Sequence, residues 1–164
     1  MKSLYIIRHA KSSWGDFTQP DFERPLNERG KRDAPVMAKR LLDAGITIDR
    51  FISSPAKRAH KTCKFFCETF GVKENDIKLM PDLYHASLPV FYEVVSAVPD
   101  KYNSAAIFSH NPGITDFVNS FELNVKIDNM PTCSIFGVRI AADSWKNFSV
   151  SKKEYLFFHF PKQV

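Results

Sequence analysis

Short apolar runs alternate with amphipathic stretches along most of the chain. The runs at residues 4–7 and 105–109 have the length and polar flanks of buried strands, and mixed segments at 48–53 and 76–80 are also predicted as strands. The stretches between them have helical spacing and occupy residues 27–44, 54–70, 89–98 and 112–122. Strands that alternate with helices over short links are typical of a mainly parallel sheet covered by helices on both faces.

Capping residues support the first two helices. Asn27 is a preferred N-cap residue, and Gly45 follows the end of the first helix. Ser54 precedes Pro55, and this pair predicts a second helix with serine as its N-cap and proline at its first position. Gly71 predicts where that second helix ends.

The last part of the chain has a different pattern. Residues 134–140 and 155–160 are β-rich runs separated by a turn around 143–147, without a strong helix between them. We expect these two runs to pair as an antiparallel edge. The sequence therefore predicts one α/β domain over residues 1–164, with three layers (α/β/α) and a mostly parallel sheet.

Composition and charge narrow the classes of partner. The chain has 164 residues, 44% of them hydrophobic, and its 15 phenylalanines can fill the core of one domain. Its net charge of +5 favours anionic partners. The basic residues are scattered among acidic ones, without the long basic run of a nucleic-acid-binding protein, so we expect no nucleic-acid partner.

Location and metal content are further expectations. The first apolar run is too short for a signal peptide, and no run approaches the ~20 residues of a transmembrane helix, so we expect a cytoplasmic protein without a membrane partner. His60, Cys63 and Cys67 share one predicted helical face but lack a fourth ligand, and the three cysteines do not suggest a disulfide framework. We expect neither a metal nor a cofactor.

Candidate catalytic residues follow three of the predicted strands. Arg8 and His9 follow the first strand, Arg58 opens the helix after the second, and His110 follows the strand at 105–109. In a parallel sheet these strand ends lie on one edge, where ligands bind. Guanidinium groups stabilise the oxygens of a transferring phosphoryl group, and a neutral imidazole is a competent nucleophile for phosphorus. The sequence therefore predicts phosphoryl chemistry.

Four separated blocks, in order over residues 1 to about 120, carry a resemblance to a known family. The blocks are Arg8-His9, Arg24-Pro25-Leu26, Ser54-Pro55 with Arg58, Ala59 and Thr62, and Ser109-His110-Asn111-Pro112. This order resembles the histidine phosphatase superfamily, and the small size with the second and fourth blocks resembles its phosphohistidine phosphatase (SixA-like) branch. The resemblance implies a phosphoglycerate mutase-like fold.

The resemblance also implies roles for individual residues. His9 is the expected phosphate acceptor, and Arg8, Arg58 and His110 are expected to complete the catalytic phosphate pocket. Arg24 is an expected additional contact to the anion at the mouth of the pocket, and Asn111 is a second candidate for substrate binding.

The sequence departs from the family pattern in two places. Ala10 stands where many relatives have glycine, which is acceptable if the backbone there does not need positive φ. The broader family has a carboxylic general acid in the middle segment, but residues 80–86 contain no glutamate. Asp82, Tyr84 or His85 could still supply a proton, so the general acid stays unassigned.

The missing glutamate affects which leaving group the substrate is expected to have. An alkoxide leaving group needs a proton from a positioned acid, whereas the imidazole of a phosphohistidine leaves more easily. We therefore expect a metal-independent phosphatase that dephosphorylates phosphohistidine in proteins through a covalent intermediate on His9. Two alternatives stay open: a phosphomonoesterase of the same superfamily acting on small phosphorylated molecules, and a non-catalytic phosphate-binding module.

Overall fold

A computed structural model describes residues 1–162, and this part of the chain contains six strands and four α-helices. The strands are β1 (Lys2–Arg8), β2 (Arg50–Ser53), β3 (Ile77–Leu79), β4 (Ser104–Ser109), β5 (Ile135–Ile140) and β6 (Lys153–His159). The helices are α1 (Glu28–Asp43), α2 (Lys57–Phe70), α3 (Leu88–Ser96) and α4 (Gly113–Asn119). Short 3₁₀ turns lie at Asp21–Glu23, Glu74–Asp76, Pro81–Leu83 and Trp145–Val150.

The six strands form one mixed sheet in the order β3-β2-β4-β1-β5-β6. The pairs β3-β2, β2-β4 and β4-β1 are parallel, whereas β5 pairs antiparallel with both β1 and β6. The prediction of a mostly parallel sheet with an antiparallel edge is therefore confirmed. The carboxyl ends of β1, β2 and β4 lie side by side as a consequence.

Alternating side chains of the central strands build two cores, one on each face of the sheet. In β1, Leu4 and Ile6 pack into the core that contains residues of α3 and α4, including Phe91 and Phe117. Tyr5 and Ile7 pack into the opposite core with residues of α1 and α2. Every second residue of a strand faces the same side, so this apolar run covers both layers and yields the predicted three-layer arrangement.

The helix ends agree with the capping residues except at one serine. The Asn27 side chain accepts a hydrogen bond from the Gly30 N–H (2.9 Å), and Gly45 and Gly71 have φ of +79° and +70°. The prediction that Ser54 caps the second helix is wrong, because α2 begins at Lys57 with Ala56 in the N-cap position. The hydroxyl of Ser54 instead contacts a histidine ring of the site described below.

Gly30 allows α1 to approach the chain segment that follows β1. A Cβ atom at this position would overlap the backbone carbonyl oxygen of Lys11. The Asn27 N–H also donates to that carbonyl (3.0 Å), so the start of α1 and the residues after His9 are held backbone to backbone. This contact fixes the path of the chain as it leaves β1.

Candidate active site

The sheet brings the predicted residues of β1, β2 and β4 to one edge. Arg8 pairs with Ser109 across the β1-β4 ladder, and the His9 N–H donates to the Ser109 carbonyl (3.1 Å). The Ser54 N–H donates to the Phe108 carbonyl (2.9 Å), which aligns the end of β2 with the end of β4. His110 is the first residue after β4. The centroids of the His9 and His110 rings consequently lie 5.2 Å apart.

His9 is oriented and electrically neutral. Its Nδ1 lies 2.7 Å from the carbonyl oxygen of Ala10, and a carbonyl accepts only, so Nδ1 carries the proton and donates. Burial, with the nearby His110 ring and the Arg58 and Arg8 guanidinium groups, holds the pKa of His9 well below its ordinary value. The Nε2 atom therefore retains a free lone pair near neutral pH.

Thr62 holds the residue that orients His9. The buried Thr62 hydroxyl accepts from the Ala10 N–H (3.0 Å) and donates to the Arg58 carbonyl (2.7 Å). Among the non-glycine residues in the described range 1–162, positive φ occurs at His85, Glu122 and Cys133, so Ala10 needs no glycine. Alanine is accommodated at this departure from the family pattern.

His110 presents a buried nitrogen to the site. Its Nε2 lies 2.7 Å from the Ser54 hydroxyl, which also accepts from the Ala56 N–H (3.2 Å). When the Ser54 hydroxyl donates to Nε2, the ring proton lies on Nδ1, which is buried without a partner among residues 1–162. Burial, followed by the Arg58 charge, lowers the pKa of His110 to about 3.

Arg8 also presents a buried donor without a partner in the described chain. Its Nη1 donates to the Met130 carbonyl (2.9 Å), while its buried Nε makes no hydrogen bond there. Burial and the nearby Arg58 charge lower the pKa of Arg8. An unsatisfied buried donor costs ~1–3 kcal/mol. An anion that accepted a hydrogen bond from Arg8 Nε would remove this cost.

Asp21 joins the two remaining arginines, and the sequence did not point to it. Its backbone carbonyl accepts from Arg58 Nη1 (2.7 Å), and its carboxylate accepts from Arg58 Nη2 (3.0 Å), Arg24 Nη1 (2.9 Å) and the Tyr84 hydroxyl (2.6 Å). Burial raises the pKa of Asp21, but these hydrogen bonds outweigh it and hold the pKa well below its ordinary range. The carboxylate therefore stays ionised.

Neighbouring protein groups fix the position of the Arg24 side chain beside Arg58 of α2. Its Nε donates to the Ser13 carbonyl (3.1 Å), its Nη2 donates to the Ser12 hydroxyl, and the indole of Trp14 stacks 3.3 Å from its guanidinium carbon. The spacing of Asp21 and Arg24 across one 3₁₀ turn was the available sequence signal for their ion pair.

Asn111 uses its side chain to fasten a neighbouring loop. Its amide nitrogen donates to Asn129 (2.7 Å) and to the Met130 carbonyl (3.1 Å), and its amide oxygen accepts from Thr115 (2.6 Å). The same Met130 carbonyl accepts from Arg8. The structure therefore places Asn111 next to the candidate pocket, with its polar atoms engaged by protein groups.

The three candidate proton donors lie at different places. Tyr84 is bound to Asp21, and its ring meets the edge of His110 with centroids 5.5 Å apart. His85 is exposed and lines a cavity together with His110. Asp82 is exposed in the 3₁₀ turn before Leu83.

Two negative observations concern residues 1–162. No three histidine, cysteine, aspartate or glutamate side chains in this range come close enough together to form a metal site. None of its helices has both the length and the apolar character that a membrane span requires.

Comparisons with known proteins identify relatives of this chain. A family model, that of the histidine phosphatase superfamily (branch 1), matches residues 4–91. A chloroplastic protein of Arabidopsis thaliana described as uncharacterized is 33% identical over 153 residues, which cover 88% of this chain and 69% of that protein.

Solved structures share the whole fold at low sequence identity. The structure of the protein histidine phosphatase SixA complexed with tungstate has a TM-score of 0.81 and 19% identity, and the match covers 97% of each chain. A structure described as the putative phosphohistidine phosphatase SixA from Agrobacterium tumefaciens has a TM-score of 0.81 and 22% identity, with 98% of each chain covered. The predicted SixA-like, phosphoglycerate mutase-like architecture is confirmed.

Proposed function

We propose a function from one premise: the chain belongs to the histidine phosphatase superfamily. The proposed activity is a phosphatase reaction in which His9 is the nucleophile and the preferred substrate is phosphohistidine in a protein. The observation that carries the proposal is the state of His9, whose Nδ1–H is fixed on the Ala10 carbonyl while its neutral Nε2 keeps a free lone pair.

The first step transfers the phosphoryl group to the enzyme. The Nε2 lone pair of His9 forms a bond to phosphorus while the bond from phosphorus to the leaving nitrogen breaks, and its electron pair stays on the leaving group. Arg8, Arg58 and the Nδ1–H of His110 stabilise the charge on the three equatorial oxygens.

The second step returns the enzyme to its resting state. A water oxygen bonds to phosphorus, the bond from phosphorus to Nε2 of His9 breaks, and its electron pair returns to Nε2. The water gives up a proton to solvent, and inorganic phosphate departs. Neither step passes through a metal ion.

The choice of phosphohistidine depends on proton supply. Asp21 is the carboxylate bound to Arg58, and it stays ionised because three side chains donate to it. It therefore cannot protonate an alkoxide leaving group. A phosphohistidine whose second ring nitrogen is protonated leaves as neutral imidazole without a proton from the enzyme. The name of the protein histidine phosphatase SixA supports this choice by similarity, and its complex with tungstate, a tetrahedral oxyanion, supports a phosphate-binding site.

Paired substrates test the proposal. Wild type, His9→Ala and the control His60→Ala are each given a phosphohistidine-bearing protein and p-nitrophenyl phosphate in the presence of a chelator. His60 lies half-buried on α2 and takes no part in the site. We expect wild type and His60→Ala to release phosphate, preferring phosphohistidine, and His9→Ala to lose several orders of magnitude in rate.

Other outcomes assign the other functions. Equal turnover of phosphohistidine and of sugar or serine phosphates would favour a small-molecule phosphomonoesterase. Phosphate binding without turnover in wild type, with affinity unchanged in His9→Ala, would make the pocket a binding module and refute the catalytic role of His9.

A further inference from the structure

The cavity lined by His85 and His110 lies beside the candidate active site. It has a volume of about 290 Å³ and lies between the loop that begins at His85 and the residues from His110 to the first turn of α4. His110 is common to this cavity and to the phosphate pocket, because its ring also packs 5.2 Å from the ring of His9. A group attached to a phosphoryl held at His110 would have space here.

The walls of the cavity are held firmly. Gly113 begins α4, and a Cβ atom there would overlap the Ala86 carbonyl, so the helix and the loop pack backbone to backbone. Thr115 donates to the Asn111 amide oxygen (2.6 Å), which ties the first turn of α4 to the residue after His110. The cavity is therefore a built feature of the fold.

Asp116 supplies the carboxylate of this cavity. It lines the cavity and is exposed, and within residues 1–162 its carboxylate accepts no hydrogen bond. Asp21, in contrast, has its oxygens occupied by two arginines and a tyrosine. The candidate site is thus cationic at Arg8 and Arg58, whereas the cavity beside His110 contains an available carboxylate.

We propose that the cavity receives the leaving half of the substrate and that Asp116 selects a leaving group with a protonated nitrogen. This inference rests on the proposed function and specifies its substrate class as P–N compounds. The other titratable groups of the cavity wall are His85 and His110. The carboxylate would accept a hydrogen bond from the ring N–H that is not bonded to phosphorus.

The chemistry of the leaving group explains why a carboxylate helps. When the P–N bond breaks, its electron pair stays on the ring nitrogen that carried phosphorus. A proton on the second ring nitrogen makes the departing group neutral imidazole rather than imidazolate. Asp116 stabilises that protonated form of the substrate, so it acts as a specificity residue of the first step.

Two small substrates distinguish the loss of this specificity from a general loss of activity. The leaving group of phosphoimidazole has a second ring nitrogen that carries a proton. The leaving group of p-nitrophenyl phosphate has no such protonated nitrogen. The ratio of kcat/KM for these two substrates is measured for wild type, Asp116→Asn and Asp116→Glu. Asp128→Asn is the matched control, since Asp128 is an exposed carboxylate near Met130 that does not line the cavity.

We expect the ratio to fall about tenfold in Asp116→Asn, because the amide oxygen can still accept but lacks the charge that strengthens a hydrogen bond from the protonated ring. It should recover in part in Asp116→Glu and stay at the wild-type value in Asp128→Asn. An unchanged ratio in Asp116→Asn, with both substrates turned over through His9, would overturn the role of Asp116 alone. Turnover of p-nitrophenyl phosphate but not of phosphoimidazole by wild type would overturn the proposed substrate class and this inference together.

Discussion

Replacing Thr62 by valine should damage catalysis more than stability. The Thr62 hydroxyl holds the N–H of Ala10, and the carbonyl of Ala10 holds the Nδ1–H of His9, so one buried hydroxyl positions the nucleophile through one intervening residue. Valine has a similar shape but no hydroxyl. The substitution therefore removes the hydrogen bond without opening a large cavity.

These contacts set the expected loss of stability and of kcat in Thr62→Val. The Ala10 N–H is left buried and unsatisfied, which costs ~1–3 kcal/mol, and the added apolar methyl offsets about 0.8 kcal/mol of that. The expected loss is about 0.2–2 kcal/mol, at ~2–4 °C in Tm per kcal/mol for a chain of this length. A shift of His9 by a fraction of an ångström should lower kcat about tenfold to a hundredfold.

Thr62→Ser is the matched control. Serine keeps the hydroxyl but loses one buried methyl, so it should lose a similar ~1 kcal/mol of stability while its kcat stays close to that of wild type. Urea unfolding gives the free energies, and phosphate release at saturating substrate gives kcat. Equal kcat values for the valine and serine variants would refute the argument that this hydroxyl positions His9.

Two further predictions concern stability. Gly30→Ala should destabilise the fold by ~1–3 kcal/mol, because its Cβ would overlap the Lys11 carbonyl. This loss is expected even though alanine is ordinarily favoured over glycine in a helix by about 1 kcal/mol. An unchanged or raised urea midpoint would contradict the close approach. His110 has a folded pKa of about 3, so below its unfolded value of ~6.5 the unfolded chain binds a proton that the native chain does not. Stability should therefore fall with acidification from pH 7 to 5, and the slope in His110→Gln should be shallower by up to about 1.4 kcal/mol per pH unit; equal slopes in urea titrations would contradict it.

The fold followed from local signals because each signal has a local physical cause. Apolar runs buried on both faces predicted the central strands, and Asn27, Gly45 and Gly71 marked helix ends through capping and positive φ. Boundaries shifted where a side chain had a tertiary partner. The predicted strand at 48–53 begins at Arg50, because the Asp49 carboxylate turns to accept from the backbone of residues 103 and 104.

The candidate site was predicted in part. Arg8, His9, Arg58 and His110 could be located from strand ends, since the register of a parallel sheet brings those ends together. The groups that hold them could not be found in this way. Met130 contacts Arg8 from 122 residues away, and no periodicity or spacing encodes such a contact.

The stack of Trp14 on Arg24 gives the protein an optical reporter of its own site. The indole lies 3.3 Å from the Arg24 guanidinium, which shares the Asp21 carboxylate with Arg58, so an anion that draws Arg58 away changes the ion pair and the position of the group beneath the ring. The second tryptophan, Trp145, is buried in the core with α3 and α4. Changes in fluorescence on ligand binding therefore belong to Trp14, and occupancy can be followed without a chromogenic substrate.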